Sequence, residues 1–180
     1  MSSDAEMIAA CKIRAVDEED LPELLAWRNH SQVRAFMFSQ HKISADEHRA
    51  WFIQASQDDT RRLLIVEDDA GPMGFVQFTK VKPGGISDWG FYARPDAPKG
   101  TGRKMSTAAL NHAFGDLRLH KVCGQAIVGN TASIALHRAM GFSQEGVLRD
   151  QQRIEGAYCS LICFGLLKKE WRPDEKRFGE

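Results

Sequence analysis

Hydrophobic positions along the chain change period several times, and each change marks an element. Alternation in CKIRAV, residues 11–16, predicts a short strand. The segment DEEDLPELLAWRN then carries apolar residues at helical spacing, with acids in its first turn and Asp17 placed as cap, so it predicts a helix. A loop is expected through Phe38. Ser44 and Glu47 have capping-box spacing and open a second helix, expected to run to about Gln54. After it the period falls to two: RRLLIVED, MGFVQFTKVK and ISDWGFYA, separated by DDAG and PGG turns, predict an antiparallel meander. A glycine-punctuated loop leads into a long helix to about Leu117, then the strand KVCGQAIV and a helix from about Thr131 to Met140. Two strands around SQEGVLRDQQRI and YCSLICFGLL close the pattern, and Arg172–Glu180 reads as a loose tail.

This order predicts an α/β fold: a mixed, mostly antiparallel sheet of about seven strands with helices on both faces. If the fourth and fifth strands run parallel through the long helix but splay apart, an extended ligand can enter between them.

Composition narrows the classes. The 180 residues, 43% of them hydrophobic, suit one domain with its own core, about 11–171. Lysine plus arginine and aspartate plus glutamate balance at 24 each, so no global field draws in nucleic acid or an anionic membrane. Any phosphate binding must be local. Cys11, Cys123, Cys159 and Cys163 show no paired CxxC spacing, which suits reduced thiols and no metal site. The start, MSSDAEMIAA, lacks the apolar run of a signal peptide, and nothing approaches a membrane span. A cytoplasmic protein is expected.

Candidate chemistry begins at PDAPKGTGRKMSTAALNHAF. A helix start has amide N–H groups without intrahelical partners and the positive end of the dipole, a natural place for a pyrophosphate. Gly100 and Gly102 permit close backbone approach there, and Lys99, Arg103 and Lys104 add charge.

Together WGFYARP, APKGTG and QAIVGNTASIALHRAMGF resemble the GNAT superfamily of acetyl-CoA-dependent N-acetyltransferases, over about Lys12 to Trp171. The resemblance implies acetyl-CoA as co-substrate, with pantetheine along Phe91, Tyr92 and Ala93 and pyrophosphate on Lys99, Gly100, Thr101, Gly102, Arg103 and Lys104. Asn130 and Ser133 would line its other side. One departure is Ala97, where the family often has Gln or Arg.

WRNHSQVRAFMF, ISADEHRAWF, VQFTK, WGFY and EGVLRD…EGAY…LLKKEW resemble a narrower branch, which acetylates the 4-amino group of a UDP-linked 4-amino-4,6-dideoxy-N-acetylaltrosamine in pseudaminic acid biosynthesis, a precursor for flagellin glycosylation. Arg28, Asn29 and His30 are then expected on the acceptor, Arg28 gripping a diphosphate or uracil edge with its planar fork. Without the resemblance they are as well explained as a helix terminus. His48 and Trp51, three apart on one helix face, would stack and hydrogen-bond. Met37, Phe38, Trp89 and Tyr92 are expected toward the acceptor cleft, some of them walling the 6-deoxy methyl, and Lys80 at a phosphate.

Acetyl transfer needs a neutral amine, a donor for the developing oxyanion and a proton for the leaving thiolate. His137 stands where the family often has its tyrosine acid. Gln125 stands where the sugar branch can carry a glutamate base, which leaves Asp88, His48 or a water chain. Cys123 reads as structural. A nucleotide sugar is the expected partner, with no nucleic acid or membrane, and an edge strand is available for a homodimer. Two rivals stay open: an N-terminal amine acetyltransferase of the ribosomal-protein type, and a non-catalytic CoA-binding module.

Overall fold

The structure is a computed structural model and describes residues 11–173. The expected amino-terminal and distal tail segments therefore lie outside the described residues, apart from Arg172 and Pro173. Seven strands form one sheet: β1 (Lys12–Ala15), β2 (Arg62–Asp68), β3 (Gly71–Thr79), β4 (Ile86–Ala93), β5 (Lys121–Ile127), β6 (Ser143–Ile154) and β7 (Ala157–Leu167). Their spatial order is β1-β2-β3-β4-β5-β7-β6. Every neighbouring pair is antiparallel except β4 and β5, which are parallel. The helices are α1 (Leu21–Asn29), α2 (Ser31–Arg34), α3 (Ala45–Ser56), α4 (Thr101–Phe114) and α5 (Thr131–Ala139). None is long and apolar enough to cross a membrane among the described residues.

Sheet alternation divides the core in two. On β2, Leu63 and Ile65 turn toward Leu24, Trp27 and Phe52 of α1 and α3. Leu64 and Val66 turn to the other face, where Met105, Leu110 and Ala113 of α4 pack. Covered on both sides, β2 reads as a continuous apolar run rather than an alternating one.

Two elements differ from expectation. The first predicted helix begins as a 3-10 turn at Glu18–Asp20, capped by Asp17 through a reciprocal capping box, before α1 starts with Pro22 in its first turn. The expected loop after Asn29 contains the short helix α2, because the His30 side chain accepts from the Gln32 amide and caps it.

β4 and β5 pair only at Ile86↔Lys121, Ser87↔Val122 and Asp88↔Cys123. Beyond that point β4 stays with β3 as far as Gly74↔Ala93, and β5 stays with β7 as far as Ile127↔Leu161. The sheet therefore opens into a V from Trp89 and Gly124 onward. Opposite, the β6–β7 hairpin carries two irregularities, and its turn residues Ile154 and Glu155 approach Ser31, Arg34, Ala35 and Gln40 around a cavity of about 360 Å³.

Candidate active site

The mouth of the V on the α4 side is shaped by backbone. Gly100 caps α4 with φ 94°, a left-handed conformation that costs glycine nothing. The Arg103 and Lys104 amides close onto the Gly100 carbonyl, and Thr101 donates from both its amide and hydroxyl to the Pro98 carbonyl. The Gly102 amide has no backbone acceptor among the described residues and is left for an anion. Near it a cavity of about 120 Å³ between the β2–β3 turn and the start of α4 is lined by Arg94, Lys99, Thr101 and Lys104 together with Asp68, so three cations and one carboxylate meet there. Phe91, Tyr92 and Ala93 lie on the stretch of β4 without a partner on its β5 side. Their backbone groups can pair with an extended amide-bearing arm. Across the V, Asn130 caps α5 by accepting from the Ser133 amide at 3.1 Å.

The vertex of the V holds His137 and Trp89, and both depart from expectation. His137 is 1% exposed. Its Nε2 faces the Trp89 indole Nε1 at 3.1 Å, and indole can only donate, so Nε2 must accept. The ring proton then sits on Nδ1 and is donated to the Ser133 carbonyl at 2.8 Å. Burial also lowers its pKa from 6.5. His137 is thus a neutral imidazole with neither nitrogen free, and it is not placed as the acid for a leaving thiolate. Trp89, expected on the acceptor side with Tyr92, faces the opposite way. The two are three apart on a strand, and period two sends them to opposite faces: Trp89 packs on Phe142 and His137, while Tyr92 packs on Phe75.

On the α1–α3 face, Arg28 is the central group. Its Nη2 donates to the Ser39 carbonyl at 2.9 Å, whereas Nη1 is buried without a partner among the described residues. Near it His48 is 5% exposed and stacks on Trp51 at 5.2 Å. Burial, reinforced by the Arg28 charge, lowers the His48 pKa below 6.5, so the ring is neutral at neutral pH. Burial raises the Tyr92 hydroxyl well above its usual range, and it stays protonated. Trp51 packs edge-on against Phe75, and Phe75 against Tyr92, forming an aromatic wall.

Asn29 and His30 do not reach this cleft as free groups. Asn29 donates to the Ile43 carbonyl and accepts from the Ile43 amide, both at 2.8 Å, which uses its amide in both directions. His30 is the exposed cap of α2. Met37 is half-buried and Phe38 exposed on the loop that Asn29 ties down, together with an exposed Phe36. Lys80, with φ 59°, folds back to an ion pair with Asp88 at 2.7 Å, so the phosphate partner and the candidate base occupy each other. Gln125 is exposed and, among the described residues, its side chain approaches the Cys163 sulfur, and burial raises the Cys123 thiol pKa, which suits neither for base or nucleophile work. Around the hairpin-tip cavity, where Arg34 of WRNHSQVRAFMF also lies, Gln40 and Glu155 carried no sequence signal, because only the folded hairpin brings residue 155 beside α2.

Comparison with known proteins agrees with this geometry. An Acetyltransferase (GNAT) domain model matches residues 11–143. The SPbeta prophage-derived uncharacterized N-acetyltransferase YokL of Bacillus subtilis is 32% identical over 164 residues, covering 88% of this chain and 90% of the relative. Acetyltransferase PseH of Campylobacter jejuni is 22% identical over 137 residues, 76% of this chain and 85% of its own. The solved spermidine N-acetyltransferase of Vibrio cholerae, in complex with CoA and spermine, superposes with a TM-score of 0.83 at 24% identity, covering 90% of this chain and 98% of that one. A V whose one arm offers free strand edge and whose mouth offers the free Gly102 amide suits a long, amide-bearing, diphosphate-carrying donor, and the family match extends over both arms: the chain belongs to the GNAT family and is an acetyl-CoA-dependent N-acetyltransferase.

Proposed function

We propose that this enzyme transfers acetyl to the 4-amino group of a UDP-linked 4-amino-4,6-dideoxy-N-acetylaltrosamine, in the cytoplasm, as a step of pseudaminic acid biosynthesis. The observation that carries the reading is the buried, unpartnered Nη1 of Arg28 in the acceptor cleft. A buried cationic donor without an acceptor is costly, and a diphosphate or uracil oxygen would satisfy it. The surrounding sequence has the same sign. From Leu24 to Ala45 there is no aspartate or glutamate, while Arg28, Arg34 and Lys42 fall there. A polyamine acceptor would meet cations on this side of the cleft.

The reaction is direct attack in a ternary complex. Holding amine and thioester in line supplies much of the acceleration, on the order of 7–11 kcal/mol for well-oriented reactants. His48, neutral and beside the cleft, is the first candidate to take the ammonium proton, and Asp88 the second once an acceptor phosphate draws Lys80 away. Free β4 amides at the V serve the oxyanion. Solvent protonates the thiolate. Met37 and Phe38 wall the 6-deoxy methyl, and Trp51 offers its face to a ring.

The test is a panel of UDP-4-amino sugars, spermidine and peptides with free amino termini, read by thiol release from acetyl-CoA and by product mass. Turnover is expected with the sugar nucleotide. Turnover confined to spermidine or to peptides would sink the acceptor assignment, and binding of acetyl-CoA without turnover of any member would point to a non-catalytic module.

A further inference from the structure

We propose that the Trp89–His137 pair sets the length of the acyl group this enzyme transfers, by closing the vertex of the V so that a two-carbon acyl fits and longer ones do not. The inference rests on the donor lying along the free edge of β4. Strand pairing ends at Asp88↔Cys123, so the first unpaired residues on the two arms are Trp89 and Gly124. A donor whose diphosphate sits at Gly100–Lys104 and whose arm follows β4 inward brings its thioester to this vertex. There the space is filled. Trp89 is 8% and His137 1% exposed, and their 3.1 Å hydrogen bond spans β4 to α5.

The closure is tight on the β5 side as well. A Cβ built on Gly124 would collide with both His137 Nε2 and Trp89 Nε1, so the two rings lie directly against the strand backbone. Phe164 stacks on His137 at 4.7 Å and 9°, and Phe142 stacks on Trp89 at 5.2 Å and 18°, so neither ring has room to turn aside. Displacing the indole would also leave its N–H without a buried acceptor, a further penalty. An alkyl tail turned toward the α1–α3 face instead would occupy the place from which the amine must approach. Each added methylene therefore meets either packed rings or the acceptor, and discrimination on the order of 10- to 200-fold per methylene is the scale for such a pocket.

Calorimetric titration of the purified protein with acetyl-, propionyl- and butyryl-CoA tests this without an acceptor. The wild type is expected to bind acetyl-CoA more tightly than butyryl-CoA, which adds two methylenes, by at least about a hundredfold. Trp89→Phe, which removes indole volume and the hydrogen bond, and His137→Ala, which opens the other half, are each expected to bring the two affinities together, with acetyl-CoA binding retained. Far-ultraviolet circular dichroism and a thermal melt identify which variant is folded, and one folded variant suffices. Equal affinity for acetyl- and butyryl-CoA in the wild type overturns the proposal, as does a folded variant with the wild-type preference. If the wild type binds no CoA thioester at all, the donor placement fails first. If it binds all of them alike, the acyl limit alone fails.

Discussion

The proposed donor side of the sheet consists of backbone: a helix start at Gly100, a strand edge from Gly90 to Ala93, and a capped helix at Asn130. The proposed acceptor side consists of side chains, Arg28, His48, Trp51 and Tyr92, contributed by three elements. Backbone recognition tolerates substitution and keeps one ligand, whereas side-chain recognition changes with each replacement. One sheet can thus hold a constant donor against a variable acceptor, and the difference is open to perturbation.

The sharpest test is Arg28→Met. Losing a desolvated cation from an anionic acceptor should lower kcat/KM for the acceptor by roughly 2–5 kcal/mol, while acetyl-CoA affinity measured by calorimetry stays unchanged. A parallel loss of donor affinity would break the separation of faces. Gly124→Ala is next: its methyl enters the Trp89–His137 contact and should destabilise the fold by about 1–3 kcal/mol, seen as a lower chemical-denaturation midpoint.

Acidity acts on both faces at once. His48 and His137 both have folded pKa values below 6.5, so the folded state binds fewer protons than the unfolded chain. Their contribution to stability is present above pH 6.5 and is withdrawn as the pH falls toward the folded values, by at most about 1.4 kcal/mol per pH unit for each group. Thermal midpoints recorded from pH 7.5 to 5 should fall on the acid side, less steeply in His48→Asn.

Smaller effects follow. Asn29→Ala removes both hydrogen bonds to Ile43 and should cost about 1–3 kcal/mol at most, with the acceptor KM raised and the donor KM held. Lys99→Ala removes an exposed charge beside the proposed phosphate site, so acetyl-CoA binding should weaken by less than about tenfold, and less still in high salt.

The donor half was legible in the chain because its signals are local. Gly100, the capping residue Asn130 and the period-two strands each report on their neighbours, and the V follows from a parallel pair joined through α4. The acceptor half was legible only as residue types. WRN was read as a site, yet Asn29 holds the loop and His30 caps a helix, because a polar side chain at a helix end serves the nearest backbone group first. His137 misled for a different reason: its alignment with a tyrosine fixes the position of the ring but says nothing of Trp89, 48 residues away, which uses its free nitrogen.

The Asn29–Ile43 clasp also has a bearing on how such an enzyme could diversify. By tying the two ends of residues 30–42 to each other, it makes that segment a cassette anchored at its base. Lengthening a loop whose ends are already fixed costs little, about 0.6 kcal/mol for each doubling. A lineage could exchange this cassette wholesale, trading one amine for another, while the sheet and its thioester-handling half are inherited intact.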